Sequence, residues 1–164
     1  MQRQSFVEAM RLAPHAVAVV TTLDASTPAG ITVTAWCSLS AEPPSLLVCI
    51  NRGSPAASAI AASRFFCLNL LADDQSHLAD LFAGRLDVSR EHRFRAAPSG
   101  IIVSGAPALD GSLVAFDCVL SGRRSHGSHD VFFGNVTGLK FGEGRPLVYC
   151  DRRYGHVVHH AGSV

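Results

Sequence analysis

The chain has 164 residues, a net charge of +1, 48% hydrophobic residues and 16% charged residues. This length fits one domain that buries about two thirds of its unfolded surface, so a core needs no disulfide or metal to hold it. The near-neutral charge, with no run of Lys or Arg, argues against nucleic acid as a partner, and no stretch approaches the ~20 apolar residues of a membrane span. The low charge content indicates that a partner subunit or a bound ligand covers part of the apolar surface.

The first half of the chain is predicted to hold two short helices and four strands. Phe6 and Met10 share one face of a helix that Pro14 ends. The prolines Pro43 and Pro44 cannot donate to a strand ladder, so they separate two strands. The predicted elements are a helix over 4–13, a strand over 16–24, a turn over 25–30, strands over 30–42 and 43–53, a helix over 54–63 with Ser54 as N-cap and Pro55 at its first position, and a strand over 64–72.

The second half is predicted to be strand-rich. Asp73 or Asp74 begins a short helix that ends before Gly84. The remaining predicted elements are a polar loop over 85–100, hairpin turns over 108–112 and 141–146, and strand patterns over 100–105, 112–124, 130–142 and 145–155. About seven short strands with short helices between them favour an all-β barrel with helical additions.

The cysteines and histidines carry no strong metal or disulfide signal. Five cysteines occur without a CxxC pair, and most lie in apolar runs, so we expect buried, reduced thiols. The N-terminus is amphipathic and does not resemble a signal peptide, so we expect a cytoplasmic protein. The histidine cluster at 156–160 has no carboxylate or Cys beside it, so we expect a polar tail and no metal. His126 and His129 flank a glycine turn, which is either a solvated turn or a loop that presents an imidazole to a ligand.

Common nucleotide and hydrolase motifs are absent from the sequence. It contains no GxGxxG after a strand, no P-loop and no GxSxG. On a single strand, Thr32, Thr34, Trp36 and Ser38 would share one face, where hydroxyls could bond a flat polar heterocycle. The residues that follow this strand offer a cation, hydroxyls and a helix N-terminus for a phosphate: Asn51, Arg52 and Ser54. The alternative is a solvated strand face followed by an ordinary Ser N-cap.

Several stretches, in order, resemble the flavin reductase-like family, the FMN-binding split barrels. They are FVEAMRLAPHAVAVVTT, GITVTAWCSLSAEPPSLLVCINRGS, FFCLNLLADDQSHLADLFAG, HRF, PALDGSLVAFDCVL, GSHDVFFGNV and RPLVYCDRRYG. The closest likeness is to the small reductase components of two-component flavin monooxygenases, of the 4-hydroxyphenylacetate and pyrimidine-utilisation types. The resemblance implies a mainly β, FMN-binding split β-barrel of Greek-key type with short flanking α-helices. It implies one domain over 1–164, with a core at about 5–156 and a tail at 157–164.

The resemblance also implies which residues bind the cofactors. His129 keeps the histidine of the family's Gly-Asp-His motif, which reads Gly127-Ser128-His129 here, and it is the candidate catalytic residue next to the nicotinamide. Tyr154 lies in a closing segment that approaches the flavin in relatives. The implied flavin-binding residues are Thr32, Val33, Thr34, Ala35, Trp36, Cys37, Ser38 and Cys49 along the strands, and Asn51, Arg52, Ser54 and Ser58 at the phosphate.

The implied function is NAD(P)H:flavin oxidoreduction. Hydride passes from NADH or NADPH to FMN, with FAD or riboflavin as other flavins, and the reduced flavin goes to a larger partner oxygenase. The family also implies a homodimer. Two alternatives remain at this stage: a non-catalytic FMN-binding protein or fixed-FMN redox module, and an interaction subunit that binds no flavin.

Overall fold

The computed structural model describes residues 2–160 and 162. The helices are α1 (Arg3–Arg11), α2 (Pro55–Ser63), α3 (Ser76–Phe82) and α4 (Arg90–Ala96). The strands are β1 (His15–Ala16), β2 (Ala18–Asp24), β3 (Thr27–Val33), β4 (Trp36–Ala41), β5 (Pro44–Asn51), β6 (Phe65–Leu70), β7 (Ser99–Ile101), β8 (Pro107–Leu109), β9 (Val114–His126), β10 (His129–Phe141), β11 (Leu147–Cys150) and β12 (Arg153–His156). Part of the predicted tail, at 161, 163 and 164, lies outside the described residues.

Seven strands form one sheet in the order β3-β2-β6-β9-β10-β5-β4, with every neighbouring pair antiparallel. The two edge strands, β3 and β4, are joined by Thr34 and Ala35 alone. A link of two residues spans at most about 11 Å between the strand ends, so the sheet must curl until its two edges nearly meet. The result is a split barrel, mainly β with short flanking helices, which confirms the predicted fold class.

The core lies on both faces of the curled sheet. Inside the barrel, Phe66 of β6 and Phe132 of β10 are fully buried, and Ile60 of α2 packs in the same cluster. On the other side of β2, Val19 packs in a second cluster with Phe82 of α3. This second cluster holds α3 beside β3, where the two elements form the walls of a cleft.

The predicted strand over 30–42 is two strands in the structure. β3 ends and β4 begins on either side of the link at Thr34, and the two strands lie at opposite edges of the sheet. The expectation that Thr32, Trp36 and Ser38 share one strand face is therefore wrong. Alternation of side chains holds only within a continuous strand, and the chain crosses the open side of the barrel here.

The chain reverses direction in two-residue turns that the sequence only partly indicates. Ala25 and Ser26, with φ of 46° and 78°, form the whole turn between β2 and β3, so the predicted turn over 25–30 is too long.

The prediction of hairpin turns over 108–112 and 141–146 is wrong. Each connects strands of different sheets, since β8 pairs with β7, and β11 pairs with β1 and β12.

The segment 85–100 contains a helix where a loop was expected. Ser89 caps α4 by accepting a hydrogen bond from the backbone N–H of His92 at 3.2 Å. Phe94 of α4 packs edge-on against Phe82, with the ring centroids 5.1 Å apart. The helix has no buried residue, and this explains why its sequence shows no apolar period.

Other predictions have mixed outcomes. The N-terminal helix is confirmed, although Phe6 of α1 stays 52% exposed. The Ser54 cap and Pro55 start of α2 are also confirmed. All five cysteines are free; Cys67 and Cys118 are buried as expected, whereas Cys37 is exposed. Within residues 2–160 and 162, no helix is both long and apolar enough to span a bilayer.

Candidate functional site

Three adjoining cavities form a cleft along β3, which we call the β3 cleft. The first, of about 320 Å³, is lined by Ala29, Gly30, Ile31, Ser54, Pro55, Ala56, Phe82, Ala83, Gly84, Arg90, Arg93 and Phe94. The second, of about 260 Å³, is lined by Val17, Ile31, Thr32, Val33, Thr34, Ala83, Arg85, Tyr149 and Tyr154. The third, of about 320 Å³, is lined by Phe6, Val7, Met10, Arg11, Ala13, His15, Thr34, Ala35, Tyr149, Asp151 and Arg152. Shared lining residues make the cleft continuous, and its size suits a small-molecule ligand.

The first cavity carries the groups that suit an anion. Arg93 of α4 lines it, and the buried Nε of this guanidinium has no hydrogen-bond partner within the described residues. Arg90 lines the same cavity and is held by Asp24 at 3.0 Å. A buried donor left without a partner costs free energy, so an anion bound at Arg93 would complete its hydrogen bonding.

The start of α2 contributes a hydroxyl at this end of the cleft, and its first backbone donors are already used. Ser54 Oγ accepts a hydrogen bond from the N–H of Ala56 at 3.2 Å, and the N–H of Ala57 bonds Ser54 O at 3.0 Å. Pro55 has no N–H. The Ser54 hydroxyl hydrogen therefore remains available to a ligand. The cations of α4, together with this hydroxyl, take the place of the free N–H groups that the sequence suggested.

The second cavity is bordered by a network around one carboxylate. Asp80 Oδ1 accepts hydrogen bonds from Tyr154 Oη and from Arg85 Nη1, each at 2.8 Å. Arg85 also donates to Tyr149 Oη at 3.2 Å and lies 5.7 Å from the centre of that ring. The Tyr149 and Tyr154 rings are 5.2 Å apart. This end of the cleft thus combines aromatic surface with one fixed cation, which suits a flat ring that can gain negative charge.

Titration in this network is shifted towards the protonated forms. Burial, followed by the hydrogen bond to Asp80, raises the pKa of Tyr154 to about 12. The hydrogen bond to Tyr149 raises the pKa of Arg85. Near neutral pH, Tyr154 is therefore a donor and Arg85 a cation.

Six of the predicted flavin-binding residues line the β3 cleft. Ser54 lies in the first cavity, and the others line the second or third: Thr32, Val33, Thr34, Ala35 and Tyr154. The Thr32 hydroxyl donates to the carbonyl of Ala79 at 2.6 Å, which ties α3 to β3. Because this hydroxyl already donates its hydrogen to Ala79, it could only accept a hydrogen bond from a ligand beside Thr32.

Three further predicted residues lie together where β5 meets the β9–β10 hairpin. His129 is paired with Asn51 across the β5–β10 ladder, and Arg52 N donates to Ser128 O at 3.0 Å. Ser54 N donates to Asn51 O at 2.9 Å, so this turn leads directly to the first cavity. Arg52 and His129 are exposed and do not line the cavity itself.

The acid next to the predicted histidine is fully committed to the hairpin. Asp130 is buried and accepts hydrogen bonds from Ser125 at 2.6 Å and Arg123 at 2.5 Å. These bonds, Ser125 foremost, lower the pKa of Asp130. Asp130 therefore fixes the hairpin that carries His129 and cannot replace the acid that the family motif has at Ser128.

The other predicted residues lie away from the β3 cleft. Trp36 and Ser38 line a separate cavity of about 220 Å³ at the β4 edge, and Trp36 Nε1 donates to Ala16 O at 3.1 Å. Cys37 is exposed on β4, and Cys49 is half-buried on β5, where burial raises the pKa of its thiol. Ser58 is exposed on α2.

Sequence reasoning missed the residues that line the cleft from α3, α4 and β11. The local signals were weak: Arg93 lies in an HRF triplet within a segment whose sequence predicts a loop. Phe82, Arg85 and Tyr149 reach the cleft through contacts that are distant in the chain. Only the Ser89 cap and the acidic Glu91 in the first turn could have indicated α4 beforehand.

The curled antiparallel sheet is a split barrel. Its cleft, with arginines at both ends and two tyrosines at one, is of the kind found in flavin-binding split barrels. The family model described as "Flavin reductase like domain" matches residues 10–157. The chain belongs to this family.

Relatives and solved structures cover nearly the whole chain. It is 42% identical over 159 residues to "FMN reductase (NADH) RutF" of Ancylobacter novellus, covering 96% of this chain and 86% of the relative. A putative flavin reductase from Haemophilus somnus superposes with a TM-score of 0.91 at 32% identity, covering 96% of this chain and 100% of the other. Nitrilotriacetate monooxygenase component B from Mycobacterium thermoresistibile superposes with a TM-score of 0.87 at 29% identity, covering 95% of this chain and 87% of the other.

Proposed function

We propose that the protein is an NADH-dependent flavin reductase that reduces FMN and supplies it to a partner flavin-dependent monooxygenase. The observation that carries the proposal is the β3 cleft. At one end lies a buried guanidinium nitrogen that has no hydrogen-bond partner in the described part of the chain, and at the other two tyrosines lie beside a cation. The relative from Ancylobacter novellus is named an FMN reductase that uses NADH, and the Mycobacterium structure is named a monooxygenase component. Bound flavin supplies the hydride acceptor for the nicotinamide.

The first cavity is the proposed phosphate end of the flavin site. Arg93 offers its free Nε, Arg90 a second cation and Ser54 a hydroxyl hydrogen. A guanidinium matches the geometry of phosphate oxygens, so these groups suit FMN. Arg52 remains a further candidate on the adjacent turn.

The second cavity is the proposed ring end. Tyr149 and Tyr154 provide aromatic surface, and residues 31–33 of β3 line the same cavity. Arg85 keeps a positive charge at this end, which stabilises negative charge on a bound ring. The Thr32 hydroxyl bonds α3 to β3 and so fixes the distance between these two elements at the second cavity.

His129 is the proposed nicotinamide-positioning residue. Ser128 Oγ lies 2.9 Å from its Nδ1, and the ladder pairing with Asn51 fixes the backbone on which it sits. An exposed imidazole beside the first cavity can meet a second ligand that enters over a flavin. No proton transfer is assigned to it.

A homodimer is proposed for the same protein. Leu39 on β4 is 52% exposed, and Leu139 on β10 is 47% exposed. Leu139 also lines the apolar cavity at the β4 edge, together with Trp36. Exposed apolar side chains on an open sheet edge fit burial by a second copy of the chain. Light scattering that gives twice the chain mass supports the dimer, and a monomer at micromolar concentration contradicts it.

The remaining assignments follow from the same proposal. The chain is proposed to act as one domain, with a tail after residue 156. Its five free cysteines suit a reducing compartment, and we place it in the cytoplasm. FAD is a second flavin that the open cleft could accept, and NADPH is a second donor.

One alternative has a specific observation behind it. Ser128 stands where the family motif has an acid, and the neighbouring Asp130 is committed to Arg123 and Ser125. If the missing acid is needed to bind nicotinamide, the protein binds FMN without reducing it. That is a flavin-binding module or a fixed-FMN redox protein.

One experiment separates these functions. The absorbance of reduced nicotinamide is followed with purified protein and NADH or NADPH, with and without added FMN. Oxidation that depends on added FMN, faster with NADH, supports the reductase. FMN binding, seen as fluorescence quenching, without oxidation of either donor supports the binding module. Absence of both overturns any flavin function.

A further inference from the structure

A cavity beneath α1 has a basic lining that the flavin site does not use. It has a volume of about 490 Å³ and is lined by Arg3, Gln4, Val7, Glu8, Arg11 and Arg152. We call it the α1 basic pocket. Three arginines face one acid, so the pocket carries a net positive charge. The family model begins at residue 10, so most of the α1 lining lies outside it.

The arginines are available to a ligand to different degrees. Arg11 Nη2 is paired with Asp151 at 2.6 Å, but its buried Nε has no hydrogen-bond partner within the described residues. Arg3 and Arg152 form no ion pair within residues 2–160 and 162. Glu8 accepts a hydrogen bond from Gln4 at 3.2 Å. Among the described residues, the pocket thus has one buried donor without a hydrogen-bond partner and two arginines that form no ion pair.

The position of Arg152 is fixed by the β11–β12 turn. Asp151 N donates to Arg11 O at 2.8 Å, which fastens this turn to the end of α1. Arg152 itself has a φ of 64°, in the left-handed region. The backbone that carries Arg152 is therefore tied to the helix that carries Arg3 and Arg11, and a rigid frame of this kind favours a defined binding site.

The α1 basic pocket adjoins the β3 cleft. It shares Val7, Arg11 and Arg152 with the third cavity, and the third cavity shares Thr34 and Tyr149 with the second. A long ligand whose ring stacks over a flavin ring in the second cavity can therefore extend into the pocket. The phosphate of a mononucleotide flavin is already matched by Arg93, at the opposite end of the cleft.

We propose that the α1 basic pocket binds the diphosphate of a dinucleotide whose ring lies in the β3 cleft. This proposal rests on the proposed function. A diphosphate carries two negative charges, and arginine forks bind phosphate oxygens through paired hydrogen bonds. Two dinucleotides have this chemistry, the nicotinamide donor and FAD. NADH is the expected one, because Arg93 accounts for the flavin phosphate.

The first test measures binding directly and needs no turnover. ADP is titrated into the full chain by calorimetry, with adenosine as the uncharged comparison. ADP should bind more tightly than adenosine, and Arg152→Gln and Arg3→Gln should each weaken ADP binding about tenfold. Arg153→Gln is the matched control: Arg153 is 82% exposed, does not line the pocket and should leave ADP binding unchanged. Equal ADP affinity in all four proteins overturns the proposal.

The second test identifies the source of the diphosphate. KM is measured for NADH and for reduced nicotinamide mononucleotide, which lacks the diphosphate bridge, and Kd is measured for FAD and FMN. In Arg152→Gln, a rise in KM for NADH relative to the mononucleotide supports the nicotinamide donor. Weaker FAD binding with unchanged FMN binding supports FAD instead. No change in either ratio contradicts the proposal, even if the protein is a reductase. Arg3→Gln repeats the test at an exposed position.

Failure of the proposed function gives a different result. A protein that neither oxidises NADH nor quenches FMN fluorescence is not a flavin reductase. The ADP titration still reports whether the α1 basic pocket binds a diphosphate.

Discussion

Tyr154 donates its phenolic hydrogen to Asp80 Oδ1 at 2.8 Å, across 74 positions of the chain. The same oxygen accepts Arg85, so a single carboxylate orients a phenol and a cation at the ring end of the cleft. The bond joins the β11–β12 hairpin, which carries Tyr154, to α3, which carries Asp80. Burial is the main cause of the raised pKa of Tyr154, and the Asp80 bond adds to it, since the ionised phenol would face the negative charge of Asp80.

We expect the phenol of Tyr154 to ionise at a higher pH than an ordinary tyrosine. In a Tyr149→Phe variant, Tyr154 is the remaining tyrosine of the two in the chain, and its ultraviolet absorbance change should have a midpoint at about pH 12. The same variant in denaturant should titrate near ~10. Because the folded pKa is the higher one, the stabilisation is complete below about pH 10 and is lost as the pH rises towards 12. A folded midpoint at the denatured value would contradict both the burial of the Tyr154 phenol and its bond to Asp80.

We expect Arg93 to hold the flavin phosphate. Arg93→Met keeps the apolar stem but removes the charge and the free Nε, and it should weaken FMN binding about tenfold or more. Riboflavin, which has no phosphate, should bind the variant and the native protein alike. Fluorescence quenching measures both affinities.

Arg95→Met is the matched control for this prediction, since Arg95 is exposed on the same helix and does not line the cleft. Arg52→Ala tests the competing phosphate contact that the sequence suggested. A large loss of FMN affinity at Arg52 with none at Arg93 would move the phosphate to the turn at 51–54.

We expect the cleft to require glycine at position 30. A Cβ at Gly30 would lie 3.0 Å from two ring atoms of Phe82 and 3.2 Å from the carbonyl oxygen of Val20. Gly30→Ala should therefore displace the Phe82 ring, lower the free energy of unfolding by about 1–3 kcal/mol and weaken FMN binding. Gly100→Ala, where a Cβ meets nothing within 4 Å, should change stability by less than about 0.5 kcal/mol. Urea unfolding compares the two, and equal stability of both variants would argue against the close packing at Gly30.

Local signals explain what could be predicted from the sequence. The α2 start was predicted correctly because Ser54 and Pro55 specify a helix N-terminus by themselves. The family resemblance extended along most of the chain, so the fold class and Ser54 and Tyr154 as cleft residues could be reached without coordinates. These predictions depended on residue types next to one another, or on the order of motifs.

Long-range geometry explains what could not be predicted. The break at Thr34 is invisible in the sequence, because hydroxyl and apolar residues alternate on both sides of it. It arises from closure of the sheet, which places β3 and β4 at opposite edges. Arg93 was missed for a related reason. Helix α4 buries no residue, so its sequence has no apolar pattern, and Arg93 lines a cavity that is formed only together with β3, α2 and α3.

We expect Asp130 to stabilise the hairpin that carries His129 above acidic pH. Asp130→Asn keeps the shape of the side chain but removes the negative charge that Ser125 and Arg123 bond. Because the hydrogen bonds from Ser125 and Arg123 lower the pKa of Asp130 below its ordinary value in the folded protein, the carboxylate's stabilisation is present above that ordinary value and is lost as the pH falls through the lower folded pKa. The native protein should therefore be more stable than the variant at pH 7, and the difference should shrink in strong acid.

Thermal unfolding at a series of pH values measures this difference, with Asp87→Asn as the control, since Asp87 is exposed and forms no ion pair within the described residues. If the hairpin positions His129 over the nicotinamide, Asp130→Asn should also raise KM for NADH more than it lowers kcat. The reason is that a displaced imidazole loses a binding contact and leaves hydride transfer itself intact. A stability difference that does not depend on pH would instead attribute the effect to packing of the amide and not to the charge.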